Sequence, residues 1–279
     1  MQKPPLTITP VTSSIGAEIC GIDLSQPLSS QAMDSIYQAL IDHLVIFIRD
    51  QEITPQQHLA FAESFGQLDD PHPVYAHVQG FDRIVELAND ASNPPDTDGW
   101  HTDLTFKPDP PFASILVARE LPVTGGDTLW ASMYAAYDAL SDDMKNTLES
   151  MVALHDMGDF RNNFTVGQST GEKLTDAMQR FGCAIHQVVK THPISGRKYL
   201  YVNEGFTVHI IGKTARESRR LLNYLLDHIG RPEYQVRFKW SRGALAMWDN
   251  RCTQHSVNDY LPAYRRMNRI TVINDKRAQ

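Results

Sequence analysis

Two histidines and one aspartate carry the first chemical signal in this chain. His101 and Asp103 stand two residues apart in Trp100-His101-Thr102-Asp103, and His255 lies far along the chain, just after Trp248-Asp249-Asn250-Arg251. On an extended segment, residues i and i+2 point to the same side, so an imidazole and a carboxylate converge without special backbone geometry. A distant second imidazole completes a set of two His and one carboxylate. Such a set fills three coordination positions of Fe(II) and leaves others open for a co-substrate and O2. Spacing alone leaves a plainer reading open, with His101 and Asp103 bonded to loop backbone and His255 on the surface. A His-x-Asp pair arises by chance about once in a histidine-rich chain of this length.

The basic run Arg265-Arg266-Met267-Asn268-Arg269 is the next feature. A guanidinium offers a planar fork to a carboxylate or a similar anion. On a strand, Arg265, Met267, Arg269 and Thr271 share one face and Arg266 points the other way. Arg266 therefore reads as part of a solvated edge.

These side chains need a scaffold, and the composition bounds it. The 279 residues are 42% hydrophobic and 21% charged, which is ordinary globular usage and excludes a disordered chain. With no internal repeat and no linker, we expect a single domain over 1–279. A net charge of −7 gives no general pull toward nucleic acid or anionic lipid. Cys20, Cys183 and Cys252 are odd in number and far apart, which argues against a disulfide framework. The N-terminus has no apolar signal region, and the strongest apolar run, Leu44–Ile48, is too short to span a bilayer. The expected location is cytoplasmic.

The elements follow from periodicity and punctuation. Ser30 is placed to cap a helix with Met33, Ile36, Tyr37 and Leu40 on its apolar face. Leu44–Ile48 reads as a buried strand. Thr54-Pro55 opens another helix. Residues 89–111 read as a long loop, of the kind that usually carries function. Ala113–Arg119 and Asp127–Ala131 read as strands on either side of Gly125-Gly126. Met133–Met151 reads as one helix. Gly182–His192 and Lys198–Asn203 read as paired strands. Thr214-x-x-Glu217 is a capping box for a helix that stops at Gly230. Tyr234–Trp240, Ala244–Trp248 and Arg269–Ile273 read as strands. This order predicts an α+β, mainly β fold, a jelly-roll-like sandwich decorated with helices.

Several motifs in order resemble the Fe(II)/2-oxoglutarate oxygenases of the taurine dioxygenase group. They are Trp100-His101-Thr102-Asp103-Leu104-Thr105-Phe106, Gly125-Gly126-Asp127-Thr128-Leu129-Trp130, Trp248–His255 and Arg265-x-x-x-Arg269-x-Thr271. Gly16–Leu24, Arg49-Asp50-Gln51, His72-Pro73-Val74-Tyr75 and Val202–Phe206 also match, so the resemblance covers nearly the whole chain.

The resemblance implies a double-stranded β-helix core. It implies Fe(II) held by His101, Asp103 and His255, with 2-oxoglutarate and O2 as co-substrates and ascorbate as an aid. The distal carboxylate of 2-oxoglutarate would meet Thr128 and an arginine. Nine residues separate His255 from Arg265, and the Arg-x-x-x-Arg-x-Thr register selects Arg265. The partner would be a small anionic substrate, contacted by His72, Tyr75, Thr97, Leu104, Asn163, Phe164, Phe206 and Arg269. The pattern expects Asn, Ser and Val where this chain has Thr97, Asn163 and Leu104. The implied reaction is hydroxylation of the carbon beside a sulfonate, with taurine as the first expectation, giving sulfite, aminoacetaldehyde, succinate and CO2. Other sulfonates, alkyl sulfates and carboxylates are alternatives, as is a non-catalytic ligand-binding jelly roll. The resemblance also implies a homo-oligomer, a dimer or tetramer.

Overall fold

The computed structural model describes residues 5–72, 75–95, 99–157, 179 and 182–278. The run Val45-Ile46-Phe47-Ile48 is apolar at every position because its strand is covered on both sides. It belongs to an eight-stranded sheet. Its strands are β1 (Thr7–Pro10), β2 (Ala17–Cys20), β3 (Val45–Ile48), β4 (His77–Val78), β5 (Phe81–Asn89), β6 (Ala113–Glu120), β14 (Leu245–Asp249) and β16 (Arg265–Val272). The order is β1-β2-β3-β14-β6-β16-β5-β4, antiparallel except for β2 against β3. A three-stranded sheet is built from β7 (Thr128–Ser132), β13 (Gln235–Phe238) and β15 (Thr253–Val257) in the order β13-β7-β15.

Alternation along β3 shows how the layers pack. Ile46 and Ile48 face α1 (Ser30–His43) and α2 (Pro55–Glu63), where they join Ile36, Leu40 and Phe61. Phe47 faces the small sheet and stacks on Phe238, with ring centroids 4.1 Å apart, and meets Trp130 edge-on. Leu116, Trp248 and Met267 of the large sheet share that inner core with Trp130 and Val236. The small sheet therefore covers one face of the large sheet, and the two N-terminal helices cover the other.

Local signals explain the helix boundaries. Thr54 and Gln57 form a capping box with Pro55 in the first turn of α2. The cap of α1 is Ser29, one residue before the Ser30 expected, and its side chain accepts from the Ala32 amide. Met133–Met151 is not one helix. It forms α3 (Met133–Asp138) and α4 (Asp142–Leu148), because Ser141 accepts from the Met144 amide and starts the helix anew.

The strand expected over Gly182–His192 divides at Val188. β8 (Val152–Asp156) pairs with β9 (Cys183–Gln187) and with β12 (Thr207–Ile210), while β10 (Val189–Thr191) pairs with β11 (Lys198–Leu200). The Val188 amide turns instead to the Met151 carbonyl. The strands flanking Gly125-Gly126 lie in different sheets, so this turn is a crossover. α5 (Ala215–Ile229) begins at the expected Thr214–Glu217 box and ends at Gly230. Among the described residues, no helix is long and apolar enough to cross a membrane.

Candidate active site

The inner faces of the two sheets enclose a cavity. β16 contributes Arg265 and Arg269, and cross-strand register sets Asn89 beside Arg265 and Leu116 beside Arg269. The facing sheet contributes Thr128 from β7 with His255 and Val257 from β15, where Val257 pairs with Thr128. Arg266 points away, as alternation predicts, and bonds Glu120 at 2.6 Å and Glu86 at 3.2 Å.

His101, Asp103 and His255 meet at one end of this cavity, with candidate ligand atoms all within 4.8 Å of one another. Their convergence does not come from a regular strand. His101 and His255 exchange backbone hydrogen bonds, His101 N to His255 O at 3.1 Å and the reverse at 2.8 Å. The chain then turns at Asp103, and Leu104 takes a left-handed φ of 56°. The segment just before His255 holds this turn. The Asn250 side chain accepts from Asp103 N and donates to Asp103 O, both at 3.0 Å, and Thr102 Oγ1 donates to Thr253 O. Ser114 and Asn250 escaped the sequence reading as site residues. Asn250 stood in the quoted Trp248–His255 motif, but its partner is visible only in three dimensions.

The electrostatics suit a cation. His101 Nδ1 donates to Gly99 O at 3.0 Å, which leaves the Nε2 lone pair toward Asp103. His101 Nε2 and His255 Nε2 each lie 3.9 Å from Asp103 Oδ1. Ser114 donates to Asp103 Oδ2 at 2.9 Å, so Oδ1 is the oxygen turned to the imidazoles. Burial works to raise the Asp103 pKa, but Arg269, the two histidines and Ser114 outweigh it and hold the carboxyl well below its usual range. Burial pushes His255 down to about 3, with His101 adding to the effect, so its imidazole is neutral at physiological pH. Two imidazoles and one ionised carboxylate fit a divalent metal such as iron.

The arginines differ in their surroundings. Arg265 is buried beside Thr128, 3.4 Å from its Oγ1, and Trp240 Nε1 also donates to that oxygen at 2.9 Å. Burial lowers Arg265 to about 10, which still leaves it charged at neutral pH. The Gly125-Gly126 turn makes room for it. Gly126 has φ +71°, and a Cβ there would sit 3.2 Å from Arg265 Cδ, while one on Gly125 would strike the Asp259 carbonyl. Arg269 Nη1 lies 3.3 Å from Asp103 Oδ1. Asp103 thus already faces Arg269, which the resemblance assigns to the anionic substrate.

The remaining expected contacts divide. Tyr75 lines the cavity, and His72 stacks on it with centroids 4.4 Å apart. Burial, then Arg269 and Lys107, push His72 down to about 3. Phe206 meets His101 edge-on at 6.4 Å. Leu104 sits in the turn and, like His72 and Phe206, is not among the cavity-lining residues. Thr97, Asn163 and Phe164 lie outside the described residues. Leu87, Asn89, Pro95, Leu116, Trp248, Val257 and Tyr260 complete the lining and were not anticipated as site residues.

A second group, His192, Asp249 and Cys252, also brings ligand atoms within 4.8 Å. Its members are already committed. Asp249 bonds His192 at 3.0 Å and the Arg251 guanidinium, and burial keeps the Cys252 thiol protonated. It reads as a structural knot beneath the site.

A family model described as the taurine catabolism dioxygenase TauD, TfdA family matches residues 7–271. The chain belongs to this family. An alkylsulfatase from Acinetobacter baylyi is 37% identical over 276 residues, covering 97% of this chain and 86% of that protein. An alpha-ketoglutarate-dependent sulfate ester dioxygenase from Pseudomonas putida is 34% identical, covering 97% of this chain and 90% of its own length. A taurine dioxygenase structure from Burkholderia xenovorans matches with TM-score 0.83 and 34% identity, over 98% of this chain and 90% of that one. The TauD/TfdA protein described here is therefore a 2-oxoglutarate-dependent dioxygenase, an enzyme class that uses Fe(II), 2-oxoglutarate and O2.

Proposed function

We propose that this enzyme oxidises small alkyl sulfate esters at the carbon that carries the sulfate. In this reading the two-sheet body is a double-stranded β-helix and residues 1–279 act as one domain. His101, Asp103 and His255 hold the iron. Arg265 and Thr128 receive the distal carboxylate of 2-oxoglutarate. Arg269 and His72 receive the anionic head of the substrate, and Tyr75 and Phe206 wall its chain. Leu104, Thr97, Asn163 and Phe164 are assigned to the same pocket by resemblance alone.

The lining carries the choice of substrate. Among the described residues, the cavity presents two arginines and no carboxylate of its own, and the nearby Asp103 is engaged by Ser114 and Arg269. An ammonium group such as that of taurine needs a partner when taken from water. Leu87, Pro95, Leu116 and Val257 offer hydrocarbon instead. The similarity to an alkylsulfatase and a sulfate ester dioxygenase supports the same choice.

When bound, Fe(II) with 2-oxoglutarate and O2 supplies the oxidising power, giving succinate, CO2 and a hydroxyl on the substrate carbon. The chain's residues do the positioning. Ser114 ties down one Asp103 oxygen and leaves the other for the metal. Gly99 fixes the His101 tautomer. Arg269 holds the sulfate, and the neutral His72 adds a hydrogen bond. A carbon bearing both hydroxyl and sulfate then loses the hydroxyl proton as its bond to the sulfate oxygen breaks, leaving an aldehyde and sulfate.

The test is the ratio of sulfur oxyanion released to succinate formed, across butyl to decyl sulfate, the matching alkyl sulfonates, taurine and phenoxyacetate. We expect a ratio near one for an alkyl sulfate and weak coupling for taurine. Tight coupling with taurine would return the sulfonate reading, and coupling with phenoxyacetate alone would give Arg269 to a carboxylate.

A further inference from the structure

Behind the turn that carries His101 and Asp103 lies a buried polar cradle that the reaction above does not use. It is built on the sheet β12-β8-β9 and on β10. His155 of β8 and His186 of β9 alternate inward and meet edge-on, with centroids 5.1 Å apart. His186 Nε2 lies 2.8 Å from the Thr105 carbonyl and 3.2 Å from the Lys107 carbonyl. His155 Nδ1 lies 3.0 Å from Thr105 Oγ1, and Asn203 Nδ2 donates to the same oxygen at 3.1 Å. Three side chains from outside the turn thus grip the residue two positions after Asp103.

A carbonyl oxygen only accepts, so His186 Nε2 must carry the proton. Its other nitrogen, Nδ1, lies 3.1 Å from Lys190 Nζ. An ammonium only donates, so it demands a bare Nδ1 and selects the tautomer that the carbonyls need. Lys190 is itself fixed, with Nζ 3.7 Å over the Tyr201 ring. Burial, then Lys190, lower the His186 pKa, and both carbonyl contacts and Asp109 act the other way. Burial lowers Lys190 to about 8, opposed by Asp109. The charged and titratable groups facing His186 are Lys190, His155, Asp109 and Tyr201, whose ring meets it edge-on at 5.2 Å.

We propose that His186, with its tautomer set by Lys190, is a positioning residue for the metal centre, holding the Thr105–Lys107 backbone so that Asp103 is presented to the metal. This rests on the reading that Asp103 is a metal ligand. His186 touches neither metal nor substrate. Its effect belongs in metal affinity and in kcat, with substrate KM little changed. Outer-sphere partners of metal ligands typically shift affinity by about 10- to 100-fold.

The test is an anaerobic Fe(II) titration of the full chain as wild type, Asp103→Ala, His186→Leu, His186→Gln and Lys190→Met, with melting temperatures of the same proteins. Gln keeps an N–H donor close to Nε2, and Leu removes it. We expect Asp103→Ala to lose Fe(II) binding. His186→Leu should weaken it tenfold or more, and His186→Gln should restore most of it. If Asp103→Ala binds Fe(II) like the wild type, the ligand reading fails and the proposal falls with it. If Asp103→Ala loses the metal while His186→Leu stays within twofold of wild type, the positioning role alone is overturned, whatever the melting temperatures. Should His186→Leu not fold, nitrogen-15 spectra of labelled histidines decide. We expect the Nε2–H form of His186 in the wild type, and mixed tautomers with weaker Fe(II) binding in Lys190→Met. An unchanged tautomer and affinity in Lys190→Met would refute the relay.

Discussion

Asp103 gives one carboxylate oxygen to Ser114 and turns the other toward two imidazoles and Arg269. Replacing it with Ala removes the anion of the cluster and takes away the carboxylate that faces Arg269. We expect Asp103→Ala to abolish 2-oxoglutarate turnover, read as succinate formation. Wild-type turnover in that variant would remove Asp103 from the centre. The arginines separate in the same way. Arg265→Ala should raise the 2-oxoglutarate requirement by roughly 30-fold to several thousand-fold, since breaking a buried charge pair costs about 2–5 kcal/mol. Arg266→Ala should change it little, because partly exposed pairs such as Arg266 with Glu120 are worth about 0–1 kcal/mol. The three ligand candidates were legible because residue type and motif order survive in one dimension. Ser114 was not, because a serine inside an apolar strand announces no partner until β6 lies beside the Asp103 turn.

Gly125-Gly126 shows what an element can do for a distant side chain. The turn carries the chain from the large sheet to the small one, and the absence of a side chain at Gly126 leaves the space that the Arg265 stem fills. Gly126→Ala would meet both an unfavourable φ and the Arg265 side chain. We expect a loss of about 1–3 kcal/mol from overpacking, together with a raised KM for 2-oxoglutarate and an unchanged KM for the organic substrate. A variant with melting temperature and both KM values at wild-type levels would show that the turn does not support Arg265. Strands and capped helices were legible wherever periodicity and caps agreed, as at Thr54, Thr214 and Leu44–Ile48. The reading failed at Met133–Met151, where Ser141 divides an otherwise helical run, and at Val188, where one apolar run serves two sheets. Ser141 carries a capping signature that the helical periodicity of the run outweighed, whereas at Val188 the deciding partner is a backbone carbonyl, which has no signature in residue type.

At the scale of the whole molecule, the enclosed core that shapes the cavity also buries histidines in neutral form, and this sets a pH limit on the fold. Burial, with Arg119 adding, pushes His58 down to about 3, and burial, with His186 and Lys190 adding, does the same to His155. Their unfolded value is near 6.5. Between those limits the unfolded chain takes up protons that the folded chain refuses, so stability is lost as pH falls below about 6.5. At pH 5 each histidine costs about 2 kcal/mol, a large fraction of the roughly 5–15 kcal/mol that holds a domain together. The depressed carboxylates add to this only below their own unfolded range near 3.8, so the window from pH 6.5 to 5 belongs to the histidines. We expect the urea midpoint to fall steeply across that window. His58 lies on α2, against the outer face of the large sheet and away from the cavity, so His58→Leu can be tested without touching the site. That variant should flatten the dependence by about one proton, or ~1.4 kcal/mol per pH unit. A wild-type midpoint flat from pH 7 to 5, or a His58→Leu slope equal to the wild type, would mean that His58 already carries its proton in the folded state.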